Sequence, residues 1–596
     1  MHGYHGSYLR IDLGSGSATH VPISESVLRR YIGGVGLASW LLYREAPAGV
    51  DPLSSEAPLV FCFSPLVGTA LTTSAKFAVV AKSPLTGFVC DALSSSHFAI
   101  EGKHSGVDAL VFTGACDTPS VWRAGELVPT DLWGCSPEET EAALSAYGRV
   151  ASIGIAGENR VRFATISNEG RHAGRGGLGA VMGAKRLKAV VVRGDHRPSL
   201  ADPRAVTRRA RSLAQRSLGE ATAKYREVGT AGNMSAFARV GALPTHNFRG
   251  DTMAGVDRLD PESLQRARQH GRNSCAACNI GCEHVYQIED GGSVRVEYES
   301  LFALGPLCGI NEPDAVLRAS RRCDELGIDT ISAGGTIAFA MECGERGHLP
   351  GAPAFGDGKA LLSLLDDIAL RRGAGALLAE GSRRAALEIG HDSLDYAPQV
   401  KGLELPGYEP RALQTMALGF AVGTRGADHN RSGAYELDFS TEVDRFRGDD
   451  RAAALAVEPE LRAALMDSMI LCKFLRHAID DLFAESAEML REVVGWEVDA
   501  DEMRRTASRI VDLKKAFNIR EGWQPSDDAL PRRMLEQPLP SGAAAGARLT
   551  QERLSSMIRA YNLARGWSQD GHLRSEAIRD LGVDVRLQER ETTPPA

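Results

Sequence analysis

Cys275, Cys278 and Cys282 form C-x-x-C-x-x-x-C within Asn-Ser-Cys-Ala-Ala-Cys-Asn-Ile-Gly-Cys, and Cys472 stands alone far downstream. Three clustered thiolates and one distant thiolate supply one ligand to each iron of a [4Fe–4S] cluster. A structural zinc site is the competing reading, but it usually shows two C-x-x-C or H-x-x-H knuckles. The second knuckle is missing here, although His284 lies close to Cys282, so the spacing favours iron–sulfur over zinc. It also reverses the C-x-x-x-C-x-x-C order of radical-SAM enzymes. Eleven cysteines is an odd number and no secretion pattern is visible, which argues against a disulfide framework. Most of Cys62, Cys90, Cys116, Cys135, Cys308, Cys323 and Cys343 sit in or beside apolar runs, as buried free thiols do. The chain reads as a redox protein whose fold closes two distant segments around an electron carrier.

A second concentration of chemistry begins at Gly174-Arg175-Gly176-Gly177-Leu178-Gly179 and runs to Lys185. Glycines at this density let backbone N–H groups approach an anion, and an arginine fork suits phosphate. The run lacks the G-x-x-x-x-G-K-[ST] pattern of a Walker A loop. A flexible turn ahead of a strand is the alternative. Two further segments echo each other, Asp324 to Thr330 and Asp467 to Lys473, the second containing Cys472. Each could present a carboxylate to one side of a large cofactor; two unrelated helix ends would look the same.

These residues need a scaffold. The chain has 596 residues, enough for several domains at about 150 residues each. With 43% hydrophobic and 24% charged residues it has the composition of a globular protein with a sizeable core. The formal charge, 68 − 76 = −8, argues against a nucleic-acid partner. No apolar run approaches the roughly 20 residues that span a bilayer. The first residues show no charged-then-apolar signal pattern. A soluble cytoplasmic enzyme is expected, since thiolate ligands survive best in a reducing compartment.

Residues 1–205 alternate short β-like runs with turns, with strands expected at 7–13, 58–63, 77–82, 109–113, 151–155 and 189–193. One helix is expected at 24–43, carrying Gly33, Gly34 and Gly36 for close packing or close approach to a ligand. Amphipathic periodicity then predicts helices at 203–219, 312–326, 361–372 and 382–389. After a Pro/Gly-rich stretch at 402–407 it predicts helices at 452–475, 482–494, 500–517 and 552–565. No internal repeat is visible. The fold class is α+β: a β-rich N-terminal base at 1–205, a helical domain at 206–405 with three cluster cysteines, a helical domain at 406–588 with the fourth, and a polar tail at 589–596.

Taken together these segments resemble the tungsten-containing aldehyde:ferredoxin oxidoreductase family almost end to end. The resemblance is carried by Gly3-Tyr4 with Leu9–Leu13, Tyr31–Leu37, Lys82–Gly87, the Arg175 loop, Tyr298–Pro306, the two aspartate segments, Phe517–Gly522 and the cysteine pattern. It implies two pterin-dithiolene cofactors holding one tungsten through four sulfurs, with magnesium between the pterin phosphates. Molybdenum takes the same ligands and stays open. By this resemblance Arg175, Gly176 and Gly177 line the phosphates, and Leu93 and Gly176 offer carbonyls to magnesium. Asp324, Asp329, Arg431 and Asp467 hold the pterin rings. Ser95, Leu178 and Leu471 fall in the same cofactor-binding segments. The arginine that bridges cluster and pterin in the family falls at Lys76, which keeps a donor but loses the planar fork.

The chain departs from the family elsewhere too. Leu93-Ser94-Ser95-Ser96 stands where Asn-Ser-Gly-Gly is frequent, and Ile470 replaces a glycine. The E-x-x-H that binds metal between subunits in some members has no counterpart near residues 315–322, so a homo-oligomer stays open. Glu299 and His429 are the catalytic candidates the resemblance implies: a carboxylate suits the base and an imidazole can hydrogen-bond a carbonyl oxygen.

The leading expectation is oxidation of an aldehyde to a carboxylic acid, with electrons passed through the cluster to ferredoxin or another carrier protein. The alternatives are a low-potential reductase of a carboxylic acid or aromatic acyl thioester on the same cofactors, and a pterin-free iron–sulfur electron-transfer subunit. No nucleic acid or membrane partner is expected.

Overall fold

The computed structural model describes residues 1–583; the polar tail expected at 589–596 lies outside them. The N-terminal part is built on two six-stranded sheets. The first contains β1 (Ser7–Asp12), β2 (Ser17–Pro22), β3 (Leu59–Cys62), β4 (Lys76–Lys82), β5 (Val89–Ser95) and β6 (Ala109–Thr113), in the order β2-β1-β6-β3-β4-β5. The second contains β7 (Ser120–Arg123), β8 (Glu126–Pro129), β9 (Arg149–Ser152), β10 (Ile166–Asn168), β11 (Arg171–Ala173) and β12 (Leu187–Val192), in the order β11-β10-β9-β12-β7-β8.

The two sheets have the same topology. Each opens with a hairpin, each pairs its first and last strands parallel (β1 with β6, β7 with β12), and every other pairing is antiparallel. Helices fall at matching places, Gly34–Glu45 and His97–His104 in one half, Pro137–Leu144 and Leu178–Ala184 in the other. The expectation of no internal repeat is corrected at the level of topology. Strand order is set by pairing and by burial of one face, and many unrelated sequences satisfy both.

The helix expected at 24–43 is two helices, Glu25–Tyr31 and Gly34–Glu45, broken at Ile32 (φ 57°). The break lets the second helix sit against backbone. A Cβ on Gly33 would meet Ser64 Cα at 2.7 Å, and one on Gly34 would meet Asp467 O at 2.4 Å. The helix expected at 452–475 is also divided, into Asp450–Leu455 and Val457–Met469. It stops at Ile470, a β-branched residue in the left-handed region (φ 67°, ψ 31°), a conformation that costs about 1–3 kcal/mol. Ile470 is fully buried in the core of the sheet region and its side chain lies against Gly34. Cys472 therefore follows a helix rather than lying in one.

Beyond residue 202 helices dominate. Leu482–Val494 and Ser382–Ile389 match their predicted spans end to end, and Pro203–Ser217, Pro313–Leu326, Gly358–Ala369, Ala500–Arg520 and Gln551–Ala564 differ by a few residues. Thr330–Glu345 and Gln414–Val422 were not expected. Both are buried on nearly every side, so neither has a polar face to mark its period. Among the described residues the one sheet of more than two strands in this part is β13 (His270–Asn273), β14 (Glu283–Gln287) and β15 (Ser293–Val296), and its first connection carries Cys275, Cys278 and Cys282.

Candidate active site

The cysteine loop and Cys472 are fastened to one hinge of the N-terminal part. Thr73 donates its N–H to Ala277 O (2.6 Å), and its Oγ1 accepts from Cys472 N–H (3.2 Å). Thr72 Oγ1 accepts from Asn279 N–H (3.1 Å). Cys275, Cys278, Cys282 and Cys472 are all half-buried, whereas the other cysteines except Cys135 are buried. Burial, with Cys472 next, pushes Cys278 up to about 11, and the same two causes raise Cys282 further. Four thiols in one desolvated neighbourhood ionise only against positive charge, which a bound metal cluster supplies. Two side-chain cations stand there as well. Burial opposes the Lys76 ammonium, but Cys472, Cys275, Asp467 and Cys278 together hold its pKa above the ordinary value. Arg171, ion-paired with Glu283, faces Cys275 and Cys282 in the same way. Lys76 is the position named through the family resemblance; Arg171 was not singled out.

From this side a connected set of charges crosses the interior. Lys473 Nζ lies 3.0 Å from Asp467 Oδ1, and Arg431 Nη1 3.4 Å from Asp467 Oδ2. Neither contact is directed as a hydrogen bond, so both Asp467 oxygens are buried without one. Arg431 also grips Asp91, whose second oxygen accepts from Lys514 Nζ (2.9 Å). Burial disfavours the Asp91 carboxylate, yet Arg431, Lys514 and Arg425 hold its pKa far below the usual range. Arg425 Nη2 pairs with Asp428 Oδ2 (3.0 Å), and Asp428 caps the short helix His429–Ser432. Asp91, Lys514, Arg425 and Asp428 were not singled out by sequence; the last two lie in the stretch that carries His429.

His429 and Glu299 meet at the far end. Glu299 is in the first turn of helix Tyr298–Leu304, and its Oε2 accepts from Gly407 N–H (3.0 Å). Tyr298 donates its hydroxyl to Gly407 O. A Cβ at Gly407 would meet the Tyr298 hydroxyl oxygen at 2.7 Å, so only glycine fits this grip. Glu299 Oε1 and His429 Nδ1 are 3.6 Å apart, and neither has a hydrogen-bond partner. Burial raises the Glu299 pKa to about 8 despite Gly407 N–H and Arg175; Asp428 and Asp329 push it the same way as burial. Burial lowers His429 to about 3, against Asp428 and with Arg175. The Tyr408 ring stacks on the imidazole, centroids 4.7 Å apart.

Arg175 reaches this end too. Its Nη1 donates to Ala427 O (2.7 Å) and its Nη2 to Glu404 O. Its Nε lies 3.5 Å from Asp329 Oδ2 but has no hydrogen-bond partner. Asp329 caps helix Thr330–Glu345 through Ile331 and Ser332 N–H. The glycines after Arg175 serve packing: a Cβ on Gly176 would meet Cys90 Sγ at 2.2 Å, and one on Gly177 would meet Arg162 O at 2.0 Å. Gly176 O accepts from Ser83 Oγ (2.7 Å). Leu93 is half-buried on β5, and Ser95 Oγ donates to Ala75 O (3.1 Å). Leu178 and Leu471 are core residues. Asp324 is only half-buried and pairs with His172 Nε2 (3.0 Å).

The donor set fits a large anionic cofactor between the cysteines and the Glu299–His429 pair. Arg175 Nε, Arg425 Nε, both Asp467 oxygens, Glu299 Oε1 and His429 Nδ1 are buried polar atoms without hydrogen-bond partners. Buried polar atoms gathered in this way suit a polar ligand that would complete their hydrogen bonds.

Comparison with known proteins places this arrangement. The description "Aldehyde ferredoxin oxidoreductase, N-terminal domain" matches residues 8–194, and "Aldehyde ferredoxin oxidoreductase, domains 2 & 3" matches residues 206–583. The chain belongs to the aldehyde ferredoxin oxidoreductase family. It is 36% identical to the tungsten-containing aldehyde ferredoxin oxidoreductase of Pyrococcus furiosus, over 98% of this chain and 99% of that one. It is 35% identical to the protein of the same name from Thermococcus kodakarensis, with the same coverage. A "WOR-like subunit" of an aliphatic sulfonate oxidoreductase from Pyrococcus furiosus is 29% identical over 99% of this chain and 98% of its own. In fold the chain is similar to a solved active-site complex, BamBC, of benzoyl coenzyme A reductase, with a TM-score of 0.82 at 24% identity, covering 98% of this chain and 97% of that one. As a member of the aldehyde ferredoxin oxidoreductase family the chain is an oxidoreductase enzyme. No helix among the described residues is long and apolar enough to cross a membrane.

Proposed function

We propose that this oxidoreductase converts an aldehyde and water to a carboxylic acid, RCHO + H2O → RCOOH + 2H+ + 2e−, and delivers the electrons to ferredoxin. Its cofactors would be a tungsten or molybdenum bis-pyranopterin dithiolene, magnesium at the pterin phosphates and a [4Fe–4S] cluster on Cys275, Cys278, Cys282 and Cys472. The observation that carries the reading is the pair of unpartnered atoms, Glu299 Oε1 and His429 Nδ1, 3.6 Å apart beside the buried charge network. When bound, the metal–dithiolene centre accepts two electrons and the cluster releases them singly.

The chain's own residues would do the rest. Gly407 N–H holds one Glu299 oxygen and leaves the other to take a proton from the water that adds to the carbonyl carbon. His429, neutral with a pKa near 3, hydrogen-bonds the carbonyl oxygen. Tyr408 fixes the imidazole plane, and Asp428 fixes the backbone that carries it. Arg175, Asp329, Arg425, Arg431 and Asp467 would hold the pterins and their phosphates, with Leu93 and Gly176 carbonyls toward magnesium. Lys76 would donate between cluster and pterin. The cytoplasm, as a reducing compartment, suits the thiolates.

One observation favours a second reading. With its pKa near 8, Glu299 keeps its proton at neutral pH, as reduction of a carboxylic acid or an aromatic acyl thioester on the same cofactors would require. Elemental analysis of anaerobically purified protein, with a redox-dye screen, tests both. Tungsten or molybdenum with about four irons per chain and aldehyde-dependent dye reduction is the expected result. Iron without either metal would point instead to a pterin-free electron-transfer subunit.

A further inference from the structure

Electrons must leave near the cysteine loop, and that loop lies at the surface. From Ser263 to Cys282 the sequence has no acidic residue but contains Arg266, Arg268, His270 and Arg272, in a chain of formal charge −8. Arg266, His270 and Arg272 are exposed, as are Ala277 and Asn279 among the cysteines. The segment packed on this loop adds Lys224 and Arg226. Arg272 Nη1 donates to Arg226 O (3.0 Å), and the Tyr225 ring stacks at 4.0 Å on Phe474, two residues past Cys472.

These cations are mostly uncompensated. Arg268 pairs with Asp314 at 2.9 Å. The side chains of Lys224, Arg226, Arg266 and Arg272 bond only to Asn233, to backbone carbonyls and to hydroxyls, and none is ion-paired with a carboxylate among the described residues. The acids on and beside these elements are Glu227, Glu262 and Glu297, all exposed, the last near enough to Cys282 to raise its pKa, and Glu283, which is held by Arg171 and Arg295. Elsewhere arginines are commonly paired, as at Arg209 with Glu492 or Arg29 with Glu502.

We infer that residues 263–282 with Lys224 and Arg226 form the docking face for a small acidic iron–sulfur carrier of the soluble ferredoxin type. The inference rests on the proposed electron exit through the cluster. A net-negative protein repels an acidic carrier at long range, and a local reversal of sign steers that carrier to the one place where electrons emerge. Such a contact is fast, and salt weakens it.

The test uses full-length protein and a purified acidic [2Fe–2S] ferredoxin as probe. Binding is measured by surface plasmon resonance at low and high salt for wild type, for R266E/R272E, and for R574E, the same kind of charge change at an exposed arginine elsewhere that pairs with no carboxylate among the described residues. Wild type and R574E should bind at low salt and weaken with salt. The double variant should bind at least about tenfold more weakly at low salt and lose most of the salt dependence. Aldehyde-driven reduction of a small dye should be unchanged in all three. Equal binding by the double variant, no binding by wild type, or a complex that persists at high salt as a permanent subunit would overturn the docking face. Loss of aldehyde-driven dye reduction in wild type would count against the proposed reaction alone, because binding is read without substrate.

Discussion

Glu299 and His429 owe their proposed roles to burial. An exposed glutamate would be ionised and an exposed imidazole half-protonated near neutrality; here desolvation moves Glu299 up to about 8 and His429 down to about 3. If Glu299 is the base, only its ionised form works. kcat/KM for aldehyde oxidation should then rise as pH rises through about 8, and the reverse reaction, which needs the proton, should fall. Glu299→Gln should remove this inflection. Glu299→Gln and His429→Asn should each lower turnover by about 10²–10⁴ with iron, pterin and tungsten contents retained, read by stopped-flow reduction of the cluster. Asp91 makes a different prediction. Asp91→Asn would leave Arg431 and Lys514 buried against a neutral amide, and losing one partner of a buried pair costs about 3–5 kcal/mol. Urea unfolding should show a loss in that range; a change under 1 kcal/mol would mean that solvent reaches the two cations.

The elements that carry the cysteines are held together by short loops rather than by one domain. The β13–β14 connection and the residues after helix Val457–Met469 are both fastened to Thr72 and Thr73. Ile470, forced into a left-handed conformation, ends that helix and turns the chain toward the cysteines. Cys472→Ala should therefore lower bound iron and the cluster's EPR intensity, and loosen the contact of this turn with Thr73. Full iron and an unaltered spectrum would exclude Cys472 as the fourth ligand. Amphipathic helices were legible because one polar face survives in the fold; Thr330–Glu345 and Gln414–Val422 were not, since burial on all sides erases the period.

Across the molecule, Arg175 joins parts that fold far apart in sequence: it leaves β11 of the N-terminal part and donates to Glu404 O and Ala427 O. Arg175→Ala should remove a charge-assisted contact worth roughly 1.5–3 kcal/mol and release pterin and tungsten while iron stays bound. Unchanged tungsten with lowered thermal stability would assign the arginine to domain contact alone.

The cysteine spacing and the Arg175 loop were readable one residue after another, because chemistry of this kind needs particular side chains at fixed intervals; Glu299 and His429 carry no such spacing and were named only through the family resemblance. The duplication of the sheets was not, because topology constrains pairing and leaves residue identity free. Asp91 carries no local signal; Arg431 and Lys514, more than three hundred residues away, make it the hub of a buried network. The pKa values of Glu299 and His429 belong to the same category, since they follow from how much water and which charges surround each group, and only the folded chain sets those distances.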